Sequence, residues 1–241
     1  MKRLVVHVPG TVAYGEALAF QVACVGRLSK ARGSAAPEGR LILLDHPAVI
    51  TVGRGGSREN ILSSAEVLRR EGIEVFEASR GGDVTYHGPG QIVGYSIIRL
   101  DEHGADVHRY LRDLESVIIS ALADLGIASG RREGYTGVWV GRDKIAAIGV
   151  AITHWVTYHG FALNVAPNLG HFDLIRPCGI RDGGVTSMER LLDRRVDDAE
   201  VRRRLTARFC EVFGFDEVVE KKGPLALDVR RRAGTREPSH A

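Results

Sequence analysis

Apolar side chains recur at helical spacing in three long segments of the chain, residues 12–30, 106–125 and 197–214. This spacing predicts amphipathic helices, and the segment 106–125 shows it most clearly. A shorter helix is predicted after Ser64, which is a suitable N-cap residue, and Gly72 would end it. The pattern therefore predicts four helices that are widely separated along the sequence.

Short apolar runs lie between the helical segments and predict β-strands. The runs are residues 3–8, 40–53 with a break at Pro47, 73–79, 91–100, 137–141, 144–153 and 155–165. The turn residues at 141–144 predict a hairpin between two of them. Because the strands come in clusters without regular strand–helix–strand spacing, the pattern predicts the α+β class. We expect a mixed, largely antiparallel sheet with flanking helices on one side.

The composition indicates one globular domain with a charged end. A hydrophobic share of 44% in 241 residues is enough to bury a substantial core. Residues 221–241 hold six Lys/Arg and two Asp/Glu, a net charge of +4, whereas the whole chain has only +3. We therefore predict a catalytic domain over 1–220 and a basic, flexible tail over 221–241. The small net charge does not favour nucleic-acid binding.

The sequence gives no indication of membrane insertion or export. No apolar run approaches the roughly 20 residues needed to span a bilayer. The first ten residues lack the apolar stretch of a signal peptide. Three scattered cysteines form no zinc or redox motif and suit a reducing compartment. A cytoplasmic protein without a metal ion or cofactor is therefore expected.

A glycine-rich segment is the first candidate for a site. Residues 80–95 read RGGDVTYHGPGQIVGY and contain five glycines beside Arg80 and His87. The chain has no Gly-Lys pair for a Walker A loop, and residues 53–58 and 88–94 both fail the dinucleotide-binding pattern. Glycines also allow the backbone to approach a ligand closely. A loop that binds a ligand other than a nucleotide is therefore predicted.

Cys178 is the candidate nucleophile, because it lies in a loop context between Pro177 and Gly179. A free thiol with a pKa near 8.5 is only a few per cent thiolate at neutral pH, so it needs an activating neighbour. Lys144, at the start of an apolar strand, is one candidate for this role. Four histidines are the others, His46, His87, His159 and His171.

These motifs occur together and in a recognisable order along the chain. The order is DHPAVITVGR, RGGDVTYHGPGQIVGY, GVWV, KIAAIGV, HGFALNV and PCGI. Over residues 41–187 the set closely resembles the lipoyl(octanoyl) transferases. The resemblance implies the α+β fold shared by biotin and lipoate protein ligases, which is related to class II synthetase cores.

The resemblance also implies the reaction and its residues. Such enzymes move an octanoyl group from octanoyl-acyl carrier protein to a lysine of lipoyl domains, which belong to the E2 subunits of 2-oxoacid dehydrogenases and to the glycine cleavage H protein. Cys178 would carry the acyl group as a thioester, and Lys144 would be the acid/base partner. The acyl pocket would be lined by Arg80, Gly81, Gly82, Asp83, Val84, Thr85, Tyr86, His87, Ala147, Ile148, Gly149, Gly160, Phe161 and Ala162. A monomer is expected.

Backbone N–H groups would have to stabilise the oxyanion, and glycine-rich segments can present them. Gly179 and the Gly81–Gly82 pair are the candidates. Three alternative functions remain open on the sequence. They are an ATP-dependent lipoate or biotin ligase, an octanoyl amidotransferase that passes the acyl group between protein lysines, and a non-catalytic module that binds an acyl group or its carrier.

Overall fold

The computed structural model describes residues 1–30, 38–176 and 183–227. The strands in these residues are β1 (Arg3–Thr11), β2 (Glu38–Asp45), β3 (Val49–Val52), β4 (Glu74–Glu77), β5 (Val84–His87), β6 (Gln91–Ile97), β7 (Gly130–Arg132), β8 (Tyr135–Val140), β9 (Asp143–Thr153), β10 (Val156–Asn164) and β11 (Glu217–Lys222). The helices are α1 (Tyr14–Lys30), α2 (Ala65–Arg70), α3 (Val107–Asp124), α4 (Met188–Leu192) and α5 (Asp198–Phe213).

The strands form two sheets. The main sheet has eight strands in the order β11–β1–β2–β6–β10–β9–β8–β7, and the small sheet has the order β4–β3–β5. In the main sheet β1 is parallel to both β11 and β2, and every other pair is antiparallel. In the small sheet β3 is parallel to β4 and antiparallel to β5. The predicted mixed, largely antiparallel α+β architecture is confirmed.

The main sheet carries helices on both faces, so the expectation of helices on one side is wrong. Leu41 and Leu43 of β2 pack in the cluster that contains residues of α3 and α5. Ile42 and Leu44 pack in the cluster that contains residues of α1. Successive residues of a strand point to opposite faces, and all four of these are apolar and buried. A continuous apolar run of this kind indicates a strand that is covered on both faces.

The predicted helices are confirmed, with ends that differ by one or two residues. Ser64 caps α2 by accepting a hydrogen bond from the Val67 N–H, and Gly72 follows the helix with φ of +67°. Asp106 caps α3 by accepting from the Arg109 N–H. These ends agree with the prediction because capping chemistry is local and can be read from the sequence.

Several short elements were not predicted. The strand β5 lies inside the segment that was expected to be a loop, and β7, α4 and β11 follow no clear apolar period. The predicted domain boundary at residue 220 falls inside β11, and Leu225 and Leu227 pack against the cluster around α1. The fold therefore continues at least to residue 227, and the rest of the predicted tail, 228–241, lies outside the described residues. Within the described residues, no helix is both long and apolar enough to cross a bilayer.

Candidate active site

Two adjoining clefts lie where β5, β6, β9 and β10 meet. The larger, which we call the acyl cleft, is lined by Tyr14, Arg80, Gly82, Thr85, His87, Val93, Tyr95, Ala147, Ile148, Gly149, His159, Gly160, Phe161 and Ala162. The smaller, the lysine cleft, is lined by Thr85, Gln91, Lys144, Ala147, Ala162, Asn164, Phe172 and Val185. Thr85, Ala147 and Ala162 line both clefts, so the two clefts are adjacent.

Most of the residues predicted to bind substrate line the acyl cleft. Ten of the fourteen do so: Arg80, Gly82, Thr85, His87, Ala147, Ile148, Gly149, Gly160, Phe161 and Ala162. Gly81, Asp83, Val84 and Tyr86 do not. Val93, Ala147, Ile148, Phe161 and Ala162 make much of the lining apolar, so the acyl cleft suits an apolar ligand.

Strand alternation explains why Val84 and Tyr86 do not line the acyl cleft. Both belong to β5 and are buried in the core of the small sheet, with Ile50 and Phe172. Residues of a strand point alternately to opposite faces, so Thr85 and the residue at 87 face the clefts instead. A prediction that treated this segment as a loop could not make that distinction.

Asp83 and Gly81 have structural roles beside the acyl cleft. The Asp83 carboxylate accepts hydrogen bonds from the Ser57 N–H, at 3.2 Å, and from the Asn60 side-chain amide, at 2.6 Å. The Gly81 N–H donates to the Val150 carbonyl oxygen at 2.9 Å. Because this donor is already used, Gly81 cannot be the oxyanion donor that its place in the glycine pair suggested.

Arg80 fixes the glycine-rich segment to the small sheet. Its Nη2 donates to the Thr51 carbonyl oxygen at 2.7 Å and to the Thr51 hydroxyl at 2.8 Å, and its Nε donates to the same hydroxyl at 3.2 Å. The guanidinium is buried, so this set of charge-assisted bonds holds one geometry. Arg80 therefore anchors the wall of the acyl cleft.

Two glycines that line the acyl cleft allow neighbouring backbone segments to pack closely against them. A Cβ atom at Gly149 would lie 2.9 Å from the Gly81 carbonyl oxygen and 3.1 Å from Arg80 Cδ. A Cβ atom at Gly160 would overlap the Gly94 carbonyl oxygen. Gly149 thus lets β9 approach the glycine-rich segment, and Gly160 lets β10 approach β6.

An irregularity in β9 places Lys144 in the lysine cleft. Lys144 and Ala147 both line this cleft, although residues three apart on a regular strand point to opposite faces. The β8–β9 register shifts between Val138, which faces Ala146, and Trp139, which faces Lys144, so two steps on β9 match one step on β8. Such a bulge re-aims a side chain and is frequent next to active sites.

The backbone of Lys144 is joined to the segment that follows Cys178. The Lys144 N–H donates to the Gly184 carbonyl oxygen at 2.9 Å, and the Thr186 N–H donates to the Lys144 carbonyl oxygen at 3.0 Å. The Lys144 side chain is buried, with only 8% of the residue exposed. Cys178 itself lies outside the described residues, two positions after Arg176 in the sequence.

A row of hydrogen bonds connects His87 to the same segment. The His87 Nδ1–H donates to Gln91 Oε1 at 3.2 Å, and the Gln91 amide donates to Asn164 Oδ1 at 2.9 Å. The Asn164 amide then donates to the Thr186 carbonyl oxygen at 3.0 Å. All four residues are buried. The row therefore fixes the acyl cleft, the lysine cleft and the strand of Lys144 relative to one another.

The histidines beside the acyl cleft are held neutral by burial. Desolvation lowers the pKa of His46 and of His159 to about 4, and it lowers the pKa of His87 well below 6.5. The His46 Nδ1–H donates to the Val12 carbonyl oxygen at 2.6 Å, which leaves Nε2 to accept from the Tyr95 hydroxyl at 2.7 Å. A neutral imidazole cannot supply the positive charge that would stabilise a thiolate.

Among the candidate activators of Cys178, only Lys144 lines the lysine cleft. His87 and His159 line the acyl cleft, and His46 lies behind Tyr95. His171 Nδ1 is hydrogen-bonded to the Tyr86 hydroxyl at 2.7 Å and lines neither cleft. The structure therefore separates Lys144 from the four histidines by position.

Sequence reasoning did not select Tyr14, Val93 or Tyr95 for the acyl cleft. Tyr95 ends the glycine-rich motif and Val93 lies within it, so alternation along β6 could have indicated both. Tyr14, the first residue of α1, is brought to the cleft only by the packing of that helix on the sheet. No local signal marks it.

Comparisons with known proteins agree with this architecture. The lipoyl protein ligase A/B catalytic domain family matches residues 13–210. A lipoate-protein ligase A solved with bound ATP shares the fold, with a TM-score of 0.70 over 91% of this chain and 88% of that one. Its sequence is only 17% identical, so this likeness concerns the fold.

Relatives with much higher sequence identity are named octanoyltransferases. An octanoyltransferase of Caldicellulosiruptor saccharolyticus is 52% identical over 205 residues, which is 84% of this chain and 86% of that protein. An octanoyltransferase of Myxococcus xanthus is 46% identical over 253 residues, covering 96% of this chain and 70% of that protein. At this identity and coverage, the chain belongs to the octanoyltransferases, a family of acyltransferases that serve protein lipoylation.

Proposed function

We propose that this octanoyltransferase moves an octanoyl group from octanoyl-acyl carrier protein to an acceptor lysine, through a thioester on Cys178. The acceptors would be the lipoyl domains of 2-oxoacid dehydrogenase E2 subunits and the glycine cleavage H protein. One observation carries the proposal: Lys144 lines a cleft that shares Thr85, Ala147 and Ala162 with the acyl cleft. A buried lysine this close to the acyl cleft supports a role in moving protons at the acyl carbon.

In the first half of the reaction, Cys178 attacks the thioester carbonyl of the donor. Lys144 accepts the thiol proton, and the resulting ammonium stabilises the thiolate. The tetrahedral intermediate then breaks its bond to the carrier sulfur, which takes the proton back from Lys144. One thioester replaces another, so this exchange is nearly isoenergetic.

In the second half, the amine of the acceptor lysine attacks the Cys178 thioester. Neutral Lys144 takes a proton from the attacking nitrogen and returns it to the departing cysteine sulfur. A thioester is converted to an amide, which is downhill and needs no ATP. The candidate nucleophile Cys178 counts against an ATP-dependent ligase, because such a ligase needs no catalytic cysteine.

The test of the proposal is intact-protein mass spectrometry after mixing the enzyme with octanoyl-acyl carrier protein in the absence of ATP. We expect a gain of one octanoyl group that is absent in Cys178→Ala. Lys144→Ala should acylate at least a hundredfold more slowly, because acid–base groups contribute roughly 10²–10⁴-fold. Lys2→Ala, which removes a lysine outside both clefts, is the matched control and should acylate at the normal rate.

Three results would contradict the proposal. Modification of a lipoyl domain only with ATP and free octanoic acid would assign the chain to the ligases. Acceptance of octanoyl only from another protein's octanoyl-lysine would make it an amidotransferase. Full transfer by Cys178→Ala would remove the thioester step from the proposed reaction.

A further inference from the structure

Lys144 lies against an aromatic side chain that the reaction itself does not require. The Lys144 Nζ is 4.7 Å from the centroid of the Trp139 ring and lies over its face. Trp139 is only 2% exposed. The Arg132 guanidinium lies over the same indole, 5.0 Å from the centroid. The indole of Trp139 therefore contacts two cations, one of which lines the lysine cleft.

The strand geometry makes this contact a fixed feature of the site. Trp139 on β8 lies directly opposite Lys144 on β9, immediately after the register shift. Gly137, with φ of +123°, leaves space for the lysine stem, because a Cβ atom there would lie 3.4 Å from Lys144 Cε and 2.6 Å from the Ala146 carbonyl oxygen. The same bulge that turns Lys144 into its cleft therefore sets the side chain on the indole.

A buried carboxylate holds this part of β8 in place. Glu115 of α3 is fully buried and accepts a hydrogen bond from the Gly137 N–H at 3.1 Å. Its other oxygen accepts from Arg112 at 2.7 Å and from Arg131 at 2.8 Å. The backbone beneath the lysine stem is thus tied to α3, and the indole has little freedom to move away.

We propose that Trp139 is a positioning residue for Lys144 and that the indole face of Trp139 holds the lysine ammonium in the lysine cleft. This inference rests on the proposed acid–base role of Lys144. An aromatic face attracts a cation electrostatically, and the attraction is strongest where water is excluded. Lys144 is in such a place, so the indole replaces part of the hydration that the ammonium loses.

The contact matters most in the first half of the reaction. There the ammonium stabilises the Cys178 thiolate and then protonates the departing carrier sulfur. If loss of the indole destabilises the Lys144 ammonium or moves it by an ångström, both steps become slower. The binding of the acyl chain is not weakened, because the indole does not line the acyl cleft. Loss of the indole should therefore lower the rate of acylation and leave the KM for the donor nearly unchanged.

The test is a double-mutant cycle between Trp139→Leu and Lys144→Ala, with the single-turnover rate of enzyme acylation as the readout. We expect Trp139→Leu to slow acylation about thirtyfold, which is ~2 kcal/mol at 1.36 kcal/mol per tenfold. Trp139→Phe retains an aromatic face and should lose less than about fivefold. In the Lys144→Ala background, Trp139→Leu should cause no further loss.

Two controls separate this role from packing. Trp155→Leu changes the other tryptophan of the chain, which is 41% exposed at a hairpin, and should leave acylation unchanged. Trp139→Met serves as a second variant without an aromatic face if Trp139→Leu does not fold, as judged by thermal unfolding. Trp139→Met should acylate as slowly as Trp139→Leu, whereas Trp139→Phe should acylate faster than both.

The outcomes distinguish this inference from the proposed function. An equal loss from Trp139→Leu with and without Lys144 would overturn the positioning role and leave Trp139 as core packing. Equal losses in the leucine, methionine and phenylalanine variants would show that the aromatic face is not responsible. Full acylation by Lys144→Ala alone would instead contradict the proposed role of the lysine.

Discussion

His87 occupies a position where an imidazole can touch a substrate but cannot gain a proton. It lines the acyl cleft, and its Nδ1–H is committed to Gln91. Burial and the nearby Arg80 guanidinium are among the causes that keep its pKa well below 6.5. The free Nε2 is therefore an acceptor near neutral pH. We infer that it accepts a hydrogen bond from a donor group of the bound substrate and holds the row of hydrogen bonds that reaches Thr186.

We expect His87→Ala to lower kcat/KM for octanoyl transfer by at least tenfold and to leave the fold intact. The imidazole is one buried polar group among several, so its loss should cost no more than about 1–3 kcal/mol of unfolding free energy. Steady-state kinetics and denaturant unfolding measure the two effects separately. Unchanged kinetics would make His87 a structural residue.

A buried histidine outside the site is the matched control for His87. His7 accepts a hydrogen bond from Arg40 Nη1 at 3.2 Å and packs edge-on against Phe20. It lines neither cleft. His7→Ala should therefore lower the unfolding free energy by a similar amount with normal kinetics.

At the residue scale, the sequence could indicate chemistry but not orientation. The motif around Arg80 and His87 and the apolar strand after Lys144 both predicted residues that line the clefts. Their neighbours Val84 and Tyr86 could not be separated from them until β5 was seen as a strand. The bulge that directs Lys144 into its cleft depends on pairing with β8, which no local pattern reveals.

At the scale of elements, the acyl cleft depends on how closely β9 approaches the glycine-rich segment. Gly149 makes this approach possible because it has no Cβ atom. The Gly81 N–H then links the segment to β9 by a hydrogen bond to the Val150 carbonyl oxygen. We expect Gly149→Ala to push the segment outward by a few tenths of an ångström. Octanoyl transfer should fall about tenfold or more, because small displacements of positioning groups are costly.

The measurement is kcat/KM for Gly149→Ala beside Gly130→Ala, with unfolding free energies for both. Gly130 also lies in the main sheet, on β7, but a Cβ atom there would meet nothing within 4 Å. Gly130→Ala should therefore leave transfer unchanged and should not destabilise the protein. Normal transfer by Gly149→Ala would show that the segment tolerates displacement.

Elements were predictable from the sequence where the signal was local and strong. The long helices α1, α3 and α5 carry a clear period, and the caps of α2 and α3 mark their ends. The expectation of helices on one side of the main sheet was wrong because distant helices decide which faces are covered, although the continuous apolar run of β2 indicates a strand buried on both faces. The edge strands β7 and β11 are short and polar, so only pairing with β8 and β1 identifies them.

For the whole molecule, the burial of neutral histidines makes the folded state less stable as the pH falls. His46 and His159 have a pKa of about 4 in the folded protein, against 6.5 in an unfolded chain. As the pH falls below 6.5, the unfolded state binds protons that the folded state cannot accept. Stability is therefore lost between pH 6.5 and about 4, and these two groups cause no further change below that range.

The expected size of this effect is about 1 kcal/mol per histidine between pH 7.5 and 5.5, from the proton-linkage relation. His46→Gln keeps a polar side chain at this position but removes one of the titrating groups. The fall in unfolding free energy between the two pH values should therefore be smaller by about 1 kcal/mol than in the unmodified protein. Urea unfolding at both pH values measures it, and a variant with an unchanged fall would show that His46 is not held neutral by the fold. His154, an exposed histidine at the β9–β10 turn, provides the control: His154→Gln removes an imidazole that the fold does not bury, and the fall should equal that of the unmodified protein.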